Sequence, residues 1–350
     1  MKHSFIPGVV YGSLRAFFMA LMATVGIAFG IILFTVIIGG ISSTSTKDVD
    51  RDYKVQILPN AEGVRTVESK NSPVILQINV NGVIGTELLS QDTIREQLVE
   101  SREGDLKKDR VKAILLNINT PGGTVVDSDG IYRAVKAYKE QYKIPVYAYV
   151  DGICASGGMY VASAADKVYA NDVSLIGSVG VIGPSFMNFS ELIDKFGIKS
   201  LTISEGKGKD AMNPLRPWKP EEDAMYRDVI KYYYGMFVDI VTEARPEIGK
   251  ENLIEKYGAK VFPAEVAKTH GFIDGSNYSR SEVLKLLLKE IGISDSYYQV
   301  VQLQNTNWIS RLFTNKNSFL QGVVKHKLDL PHEISPELTG KFLYLYRPGL

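Results

Sequence analysis

The sequence predicts an α/β fold, because short β-branched runs alternate with stretches of helical length and periodicity. The run VILQINV at 74–80 predicts a strand, and residues 91–103 predict a helix. The buried-strand pattern VKAILLNIN at 111–119 is followed by an amphipathic helix at 127–142 and a further strand, PVYAYV, at 145–150. This alternation is typical of βαβ units, in which parallel strands form one sheet with helices packed against it.

The composition is that of a globular protein. Hydrophobic residues make up 45% of the 350 residues and charged residues 23%, which excludes bulk disorder. The formal net charge of +1, without a cluster of basic and aromatic residues, gives no indication of a nucleic-acid partner. The single cysteine excludes an intrachain disulfide, so cysteine usage does not reveal the redox compartment.

An uncharged apolar stretch at 16–40 predicts a transmembrane helix. It exceeds the roughly 20 residues that cross a bilayer core of about 30 Å, and it is too long for the apolar region of a signal peptide. The number of Lys and Arg residues on the two sides does not decide its orientation. Arg15 directly precedes the span, which favours a short cytoplasmic N-terminus at 1–15 and a large domain outside the cytoplasm.

The remaining chain divides into three regions. Residues 41–72 are polar and predict a tether, and residues 73–295 carry the strand and helix pattern, including a long helix at 219–243. Residues 296–350 have weaker periodicity and predict a C-terminal tail. The tail ends in the apolar strip KFLYLYRPGL, which fits either packing on a neighbour or an extended segment in a groove.

The first of two glycine-rich turns is NTPGG at 119–123, directly after a predicted strand. A Pro-Gly-Gly turn lets a ligand approach the backbone closely and offers peptide N–H groups as donors. The same residues equally fit a tight turn between a strand and a helix. The pattern differs from the glycine motifs of nucleotide-binding sites.

The second turn is Ala155-Ser156-Gly157-Gly158, between a predicted strand and an apolar helical stretch. Ser156 fits two roles: it caps the helix, or it is a nucleophile whose carbonyl substrate is held by the N–H groups of Gly157 and Gly158. The turn alone leaves both roles open.

A serine nucleophile needs a base, and no histidine occurs between His3 and His270. A lysine can serve instead when its pKa falls from about 10.4 to about 7–8, which requires roughly 3–5 kcal/mol of differential desolvation. The segment EGKGKDAMNP at 205–214 offers Lys207 and Lys209. Its composition also fits an exposed basic loop.

Five motifs occur in a fixed order along the chain: NTPGG, VDGICASGGMYVASAADKVYA, IGSVGVIG, GKGKDAMNP and VFPAEVAKTHGFIDG. As an ordered set they resemble signal peptide peptidase A, and more narrowly its short, single-domain bacterial form. The resemblance covers about residues 74–280. It implies a fold of stacked ββα units related to Clp protease and crotonase, preceded by an N-terminal transmembrane helix.

The resemblance also implies the catalytic roles. Ser156 matches the family's serine nucleophile, and Lys209, rather than Lys207, matches its general-base lysine. Ser178, in the GSVGV motif, matches the hydroxyl that orients the lysine amine. These matches predict a serine peptidase with a Ser–Lys dyad.

Gly157, together with Gly122 or Gly123, matches the donors of the family's oxyanion hole. Cys154, two residues before the serine, is expected to be a small buried hydrophobic residue. Neither a metal nor a cofactor is implied.

The resemblance further implies a homo-oligomeric ring, in which the serine and the lysine of each site come from neighbouring subunits. The expected location is the bacterial cytoplasmic membrane, with a single span, and the expected substrates are signal-peptide remnants and other apolar peptides. Two alternatives remain: a crotonase-like acyl-CoA enzyme, and a catalytically inert membrane scaffold of peptidase ancestry.

Overall fold

The computed structural model describes residues 15–27, 29–31, 53–294, 296–305 and 341–346. The chain separates into an N-terminal unit, residues 1–51, and a larger unit, residues 52–350. The described residues of the N-terminal unit are helical, and their apolar side chains are exposed. No helix among the described residues is long and apolar enough to cross a membrane. The predicted span continues past residue 31, outside the described residues.

The larger unit is built on a mixed sheet, which has eight strands in the part of the chain that the structure describes. Its order is β1-β9-β2-β3-β5-β7-β8, with β6 paired to β5. β2, β3, β5, β6 and β7 run parallel, and the pairs β1–β9 and β7–β8 are antiparallel. A separate two-stranded sheet joins β4 and β10. The strands are β1 (Tyr53–Leu58), β2 (Val74–Asn81), β3 (Val111–Thr120), β4 (Gly122–Thr124), β5 (Val146–Ala155), β6 (Lys167–Ala170), β7 (Leu175–Gly177), β8 (Val261–Pro263), β9 (Gln299–Asn305) and β10 (Leu343–Leu345).

Helices cover both faces of the main sheet, and polar caps fix the starts of several of them. Ser90 forms a capping box with Thr93, Thr124 caps the second helix, and Ser279 forms a capping box with Glu282. The helices are α1 (Gln91–Glu100), α2 (Val125–Tyr142), α3 (Gly157–Ala162), α4 (Ser190–Lys195), α5 (Ala224–Ala244), α6 (Ala264–Thr269) and α7 (Arg280–Glu290), with a π-helix at Asn252–Tyr257.

The core lies on the two faces of the sheet. Alternate residues of β2 point to opposite faces, so Ile78 joins a cluster with Val135 of α2 and Phe237 of α5. Ile75 joins the other cluster with Leu287 of α7. Because β2, β3, β5 and β7 run parallel, their carboxyl ends lie together at one edge of the sheet.

The predicted α/β class is confirmed, and the predicted strands agree closely with β2, β3 and the first part of β5. The helix expected at 219–243 begins instead at Ala224, after a turn. The main sheet also includes β1 and β9, which lie in the regions interpreted above as tether and tail. β1 pairs with β9, and β9 pairs with β2, so the sheet extends past both ends of the 73–295 range.

Candidate active site

Ser156 occupies the single residue between β5 and α3. Its backbone has φ 55° and ψ −116°, a conformation that residues other than glycine rarely adopt. Its N–H donates to the carbonyl oxygen of Gly177 at 2.8 Å, which fixes the turn against β7. A serine on a strained turn between a strand and a helix is the arrangement of the nucleophile elbow in other hydrolases.

The side chain of Ser156 does not cap helix α3. The residue is 1% exposed, and no hydrogen bond to its hydroxyl is formed by the described residues. Of the two roles left open by the sequence, capping is therefore wrong. The buried hydroxyl therefore has no hydrogen-bond partner among the described residues.

Ser178 lies beside Ser156. Ala155 and Gly177 are paired in the parallel strands β5 and β7, so the two serines follow neighbouring strands at the same edge of the sheet. Ser178 also has a positive φ, 56°, and its N–H donates to the carbonyl oxygen of Lys260 at 2.7 Å. The structure thus brings together two of the three predicted catalytic residues.

The two glycine turns are in direct contact. Gly122 has a φ of +100°, and a Cβ at this position would overlap the carbonyl oxygen of Tyr344 and lie 2.7 Å from the amide nitrogen of Gly157. The N–H of Gly122 donates to Thr120 Oγ1 at 3.0 Å. No hydrogen bond from the N–H of Gly157 is formed by the described residues.

An extended segment of the chain itself lies along these turns. β10 pairs antiparallel with β4, with Tyr344 opposite Gly123. On its other side Leu343 exchanges two hydrogen bonds of 3.0 Å with Ile182. The tail strip KFLYLYRPGL, whose position the sequence left open, therefore places its described residues between β4 and Ile182 of its own chain, in a space that we call the groove.

Tyr344 anchors this segment in the core. Its ring stacks on Tyr160 at a centroid distance of 5.0 Å, and its hydroxyl donates to the carbonyl oxygen of Tyr233 at 2.9 Å. Tyr160 lies one turn after Ser156 and donates to Asp129 Oδ1 at 2.8 Å. Burial, with this hydrogen bond, raises the pKa of Tyr160 above its ordinary value. The alternation of Leu and Tyr in the strip is the one feature of the sequence that could have indicated these contacts.

Lys209 lies in an exposed turn of the segment 198–222, which we call the lysine arm. No described hydrogen bond or ion pair joins its ammonium group to Ser156 or Ser178. Lys207 is exposed in the same turn. The described part of the chain therefore does not assemble the predicted dyad by itself.

His270 is engaged away from the serines. Its ring stacks on Tyr257 at 4.5 Å, and its Nδ1 lies 3.4 Å from the Tyr257 hydroxyl. His3, His326 and His332 lie outside the described residues. No group of three or more residues that could hold a metal ion occurs among the residues that were described.

Cys154 is fully buried two residues before Ser156. Burial raises the pKa of its thiol to about 12, an effect opposed weakly by Arg245. The thiol is therefore protonated at neutral pH, and it packs as a small hydrophobic residue.

The buried thiol predicts slow alkylation. Because Cys154 is the only cysteine in the sequence, modification by iodoacetamide reports on this one site. At pH 8 we expect the native protein to react about a thousand-fold more slowly than the denatured protein, since the thiolate fraction falls with the raised pKa. Mass spectrometry over a time course measures both rates, and equal rates would mean that Cys154 is a reactive thiol.

Two family models match the sequence. Residues 138–294 match peptidase family S49, and residues 86–175 match Clp protease. A protein of Enterococcus faecium, provisionally named signal peptide peptidase SppA, is 27% identical over 342 residues, which cover 92% of this chain and 97% of that protein. The chloroplastic serine protease SPPA of Arabidopsis thaliana is 32% identical over 182 residues, which cover 52% of this chain and 26% of that protein.

Among solved structures, a ClpP1 point mutant from Listeria monocytogenes has 16% sequence identity and a TM-score of 0.39. The match covers 59% of this chain and 94% of that one. A TM-score this low carries no weight for function, and the α/β class rests on the observed sheet.

The fold, the uncapped serine and these matches define the chain as a serine peptidase. More narrowly, the resemblance to signal peptide peptidase A is confirmed, and peptidase family S49 is the family whose model the segment 138–294 matches.

Proposed function

We propose that the chain is a membrane-anchored endopeptidase in which Ser156 is the nucleophile and Lys209 of a neighbouring subunit is the general base. The observation that carries the proposal is the strained, uncapped Ser156, which lies in one of two glycine turns that touch each other. An extended segment of the chain, β10, already lies along these turns. A peptide substrate needs such a groove, because its backbone can add as a strand while its side chains enter pockets on alternate sides.

The exposure of the lysine arm supports a site shared between subunits. Leu201 and Ile203 are 85% and 89% exposed, and helix α4 has no buried residue. Exposed apolar side chains that are close together in a fold commonly mark an interaction surface. A second copy that covers them can receive Lys209 at its own serines, so a ring of copies completes every site.

The mechanism follows from these positions. Neutral Lys209 accepts the proton of Ser156, and the serine oxygen attacks the peptide carbonyl carbon. The N–H of Gly157 stabilises the resulting oxyanion. The second donor is the N–H of Gly122 or Gly123, and at Gly122 this N–H would exchange its present partner, Thr120 Oγ1, for the oxyanion. The protonated lysine then gives its proton to the leaving amine, and water, activated by the same lysine, hydrolyses the acyl-enzyme. Ser178 holds the lysine amine in place.

The groove supports apolar peptides as substrates, signal-peptide remnants among them. The segment that lies in it has the sequence LYL, and Tyr344 enters a pocket formed by Tyr160 and Phe237. The proposed anchor at 16–40 would attach the chain to a bacterial cytoplasmic membrane, with the catalytic domain on the extracytoplasmic side. The Clp protease match at 86–175 supports stacked ββα units of the Clp and crotonase type.

Mixing two inactive variants tests the shared site. The full chain is co-expressed as Ser156→Ala and Lys209→Ala with different affinity tags, and doubly tagged assemblies are assayed on a fluorogenic apolar peptide. Each variant alone is expected to be inactive, whereas mixed rings recover about a quarter of wild-type activity, the fraction of interfaces that pair an intact serine with an intact lysine.

The matched control replaces one partner with a double variant, Ser156→Ala with Lys209→Ala, which leaves no complete site in any arrangement. Mixed assemblies that are as inactive as this control would contradict a shared dyad. Binding of an acyl-CoA, with no peptide hydrolysis by the wild type, would instead favour the crotonase-like alternative.

A further inference from the structure

The position of Lys209 depends on the residues that follow it. The lysine arm contains no helix or strand between residues 198 and 222. Before Lys209, Gly206 and Gly208 have φ values of +99° and +79°, and a Cβ at either would meet no atom within 4 Å. Among the described residues, none packs against the backbone at the two glycines that precede Lys209.

Arg216 holds Asp210, the residue that directly follows Lys209. Its Nε donates to Asp210 Oδ2 at 2.6 Å, and its Nη2 donates to the carbonyl oxygen of Asp210 at 2.5 Å. One planar guanidinium therefore fixes both the side chain and the backbone of the residue next to Lys209. A lysine at position 216 could not reproduce this arrangement, because its single ammonium group lacks the planar fork of donors of an arginine.

Glu222 connects Arg216 to helix α5. Nη2 of Arg216 donates to Glu222 Oε1 at 2.7 Å, and Nη1 donates to Oε2 at 3.0 Å. Glu222 lies two residues before α5, whose residues Phe237 and Val241 are buried in the core. A continuous series of contacts thus joins the core of the domain to the backbone at Lys209.

Arg216 also controls the charge beside the lysine. A free carboxylate next to Lys209 would favour the protonated ammonium, which cannot act as a base. The Asp210 carboxylate is instead occupied by Arg216 and by Asn213, whose Nδ2 donates to Oδ1 at 2.6 Å. The Arg216 hydrogen bond, more than the one from Asn213, holds the pKa of Asp210 below its ordinary value.

The other charged groups near this turn lie on the arm and at the start of α5. Glu205 and Lys207 precede Lys209 and are exposed, and Lys219 also acts on Asp210. The pKa of Glu222 is lowered, chiefly by its hydrogen bond from Arg216. Removal of Arg216 therefore releases the Asp210 carboxylate, which is next to Lys209 in the chain.

We propose that Arg216 is a positioning residue for the general base: it fixes the backbone at Asp210 and keeps that carboxylate from pairing with Lys209. This inference rests on the proposed role of Lys209. It adds two separable functions, one of geometry and one of charge, and variants at Arg216 and Asp210 distinguish them.

The test measures kcat, KM and the pH dependence of kcat for the full chain on the fluorogenic peptide. Arg216→Ala is expected to lower kcat by about ten- to a hundred-fold through misplacement of the lysine. It should also move the acidic limb of the profile upward by about one pH unit, because a freed carboxylate stabilises the ammonium. KM should change little, since no contact with the peptide groove is lost.

Two further variants separate charge from geometry. Adding Asp210→Asn to Arg216→Ala removes the freed carboxylate, so the acidic limb should return toward its wild-type position while kcat stays low. Arg216→Lys keeps the positive charge but loses the planar fork of donors. The acidic limb of its pH profile should therefore stay near that of the wild type, while its kcat is reduced. Arg227→Ala is the matched control, because Arg227 forms an exposed ion pair with Asp223 at the start of the same helix.

An unshifted pH profile in Arg216→Ala, with kcat falling only in proportion to lost assembly in size-exclusion chromatography, would show a purely structural role and overturn the inference. The proposed dyad fails in a different way, because Lys209→Ala itself would then keep wild-type activity. Comparison of the two variants in one assay therefore distinguishes the two failures.

Discussion

Replacing Ser156 with alanine is expected to lower kcat/KM for peptide hydrolysis by about four to six orders of magnitude, because the proposed reaction loses its nucleophile. The same variant should lose covalent labelling by a fluorophosphonate. Its melting temperature should stay close to that of the wild type, since the described residues make no hydrogen bond with the serine hydroxyl.

Ser163→Ala is the matched control for this variant. Ser163 is also buried, follows the same helix α3, and donates to the carbonyl oxygen of Met159 at 2.9 Å. It should keep both labelling and activity. If Ser156→Ala were still labelled and active, the nucleophile would have to be another residue, and Ser178 would be examined first.

Replacing Lys209 with alanine is expected to lower kcat/KM for peptide hydrolysis by about three to five orders of magnitude. The reason is that a serine without a base is a weak nucleophile at neutral pH. Lys207→Ala is the control, because Lys207 is exposed in the same turn and differs by only two positions. It should keep activity within about threefold of the wild type, as expected for a surface residue outside the reaction.

The pH dependence gives an independent check on the lysine. Only the neutral amine can accept the serine proton, so the wild-type rate should be low at acidic pH and should rise with pH as the ammonium deprotonates. The measurement is kcat/KM at intervals from about pH 6 to 10. Near-normal hydrolysis in Lys209→Ala, or a stronger loss in Lys207→Ala, would contradict the assignment.

The central part of the fold could be predicted because its signals are local. β2, β3 and α2 each carry their own periodicity, and the structure places them within two residues of the predicted bounds. β1 could not be predicted in this way. Its partner β9 lies near the other end of the larger unit, with Val55 opposite Leu303, and no short window of sequence contains such a pairing.

The site could be predicted only in part. Ser156 and Ser178 follow parallel strands, so the alternation that predicts the sheet also brings them to one edge. Whether Ser156 caps a helix or stays free depends on its φ and ψ, which the residue types around it do not determine. The sequence predicts the start of α5 at residue 219, whereas the helix begins at Ala224. The residues before it have a helix-like composition but form a turn, in which Glu222 accepts a hydrogen bond from Arg216.

β10 is covalently attached to the groove in which it lies, and this attachment affects any binding measurement. A tethered segment competes with added peptide at an effective concentration on the order of millimolar. Under the proposed function, the apparent KM of the full chain therefore reflects displacement of residues 343–345 as well as the intrinsic affinity of the groove. Two preparations that differ only in where the chain ends can then differ in apparent affinity while their chemical step is the same.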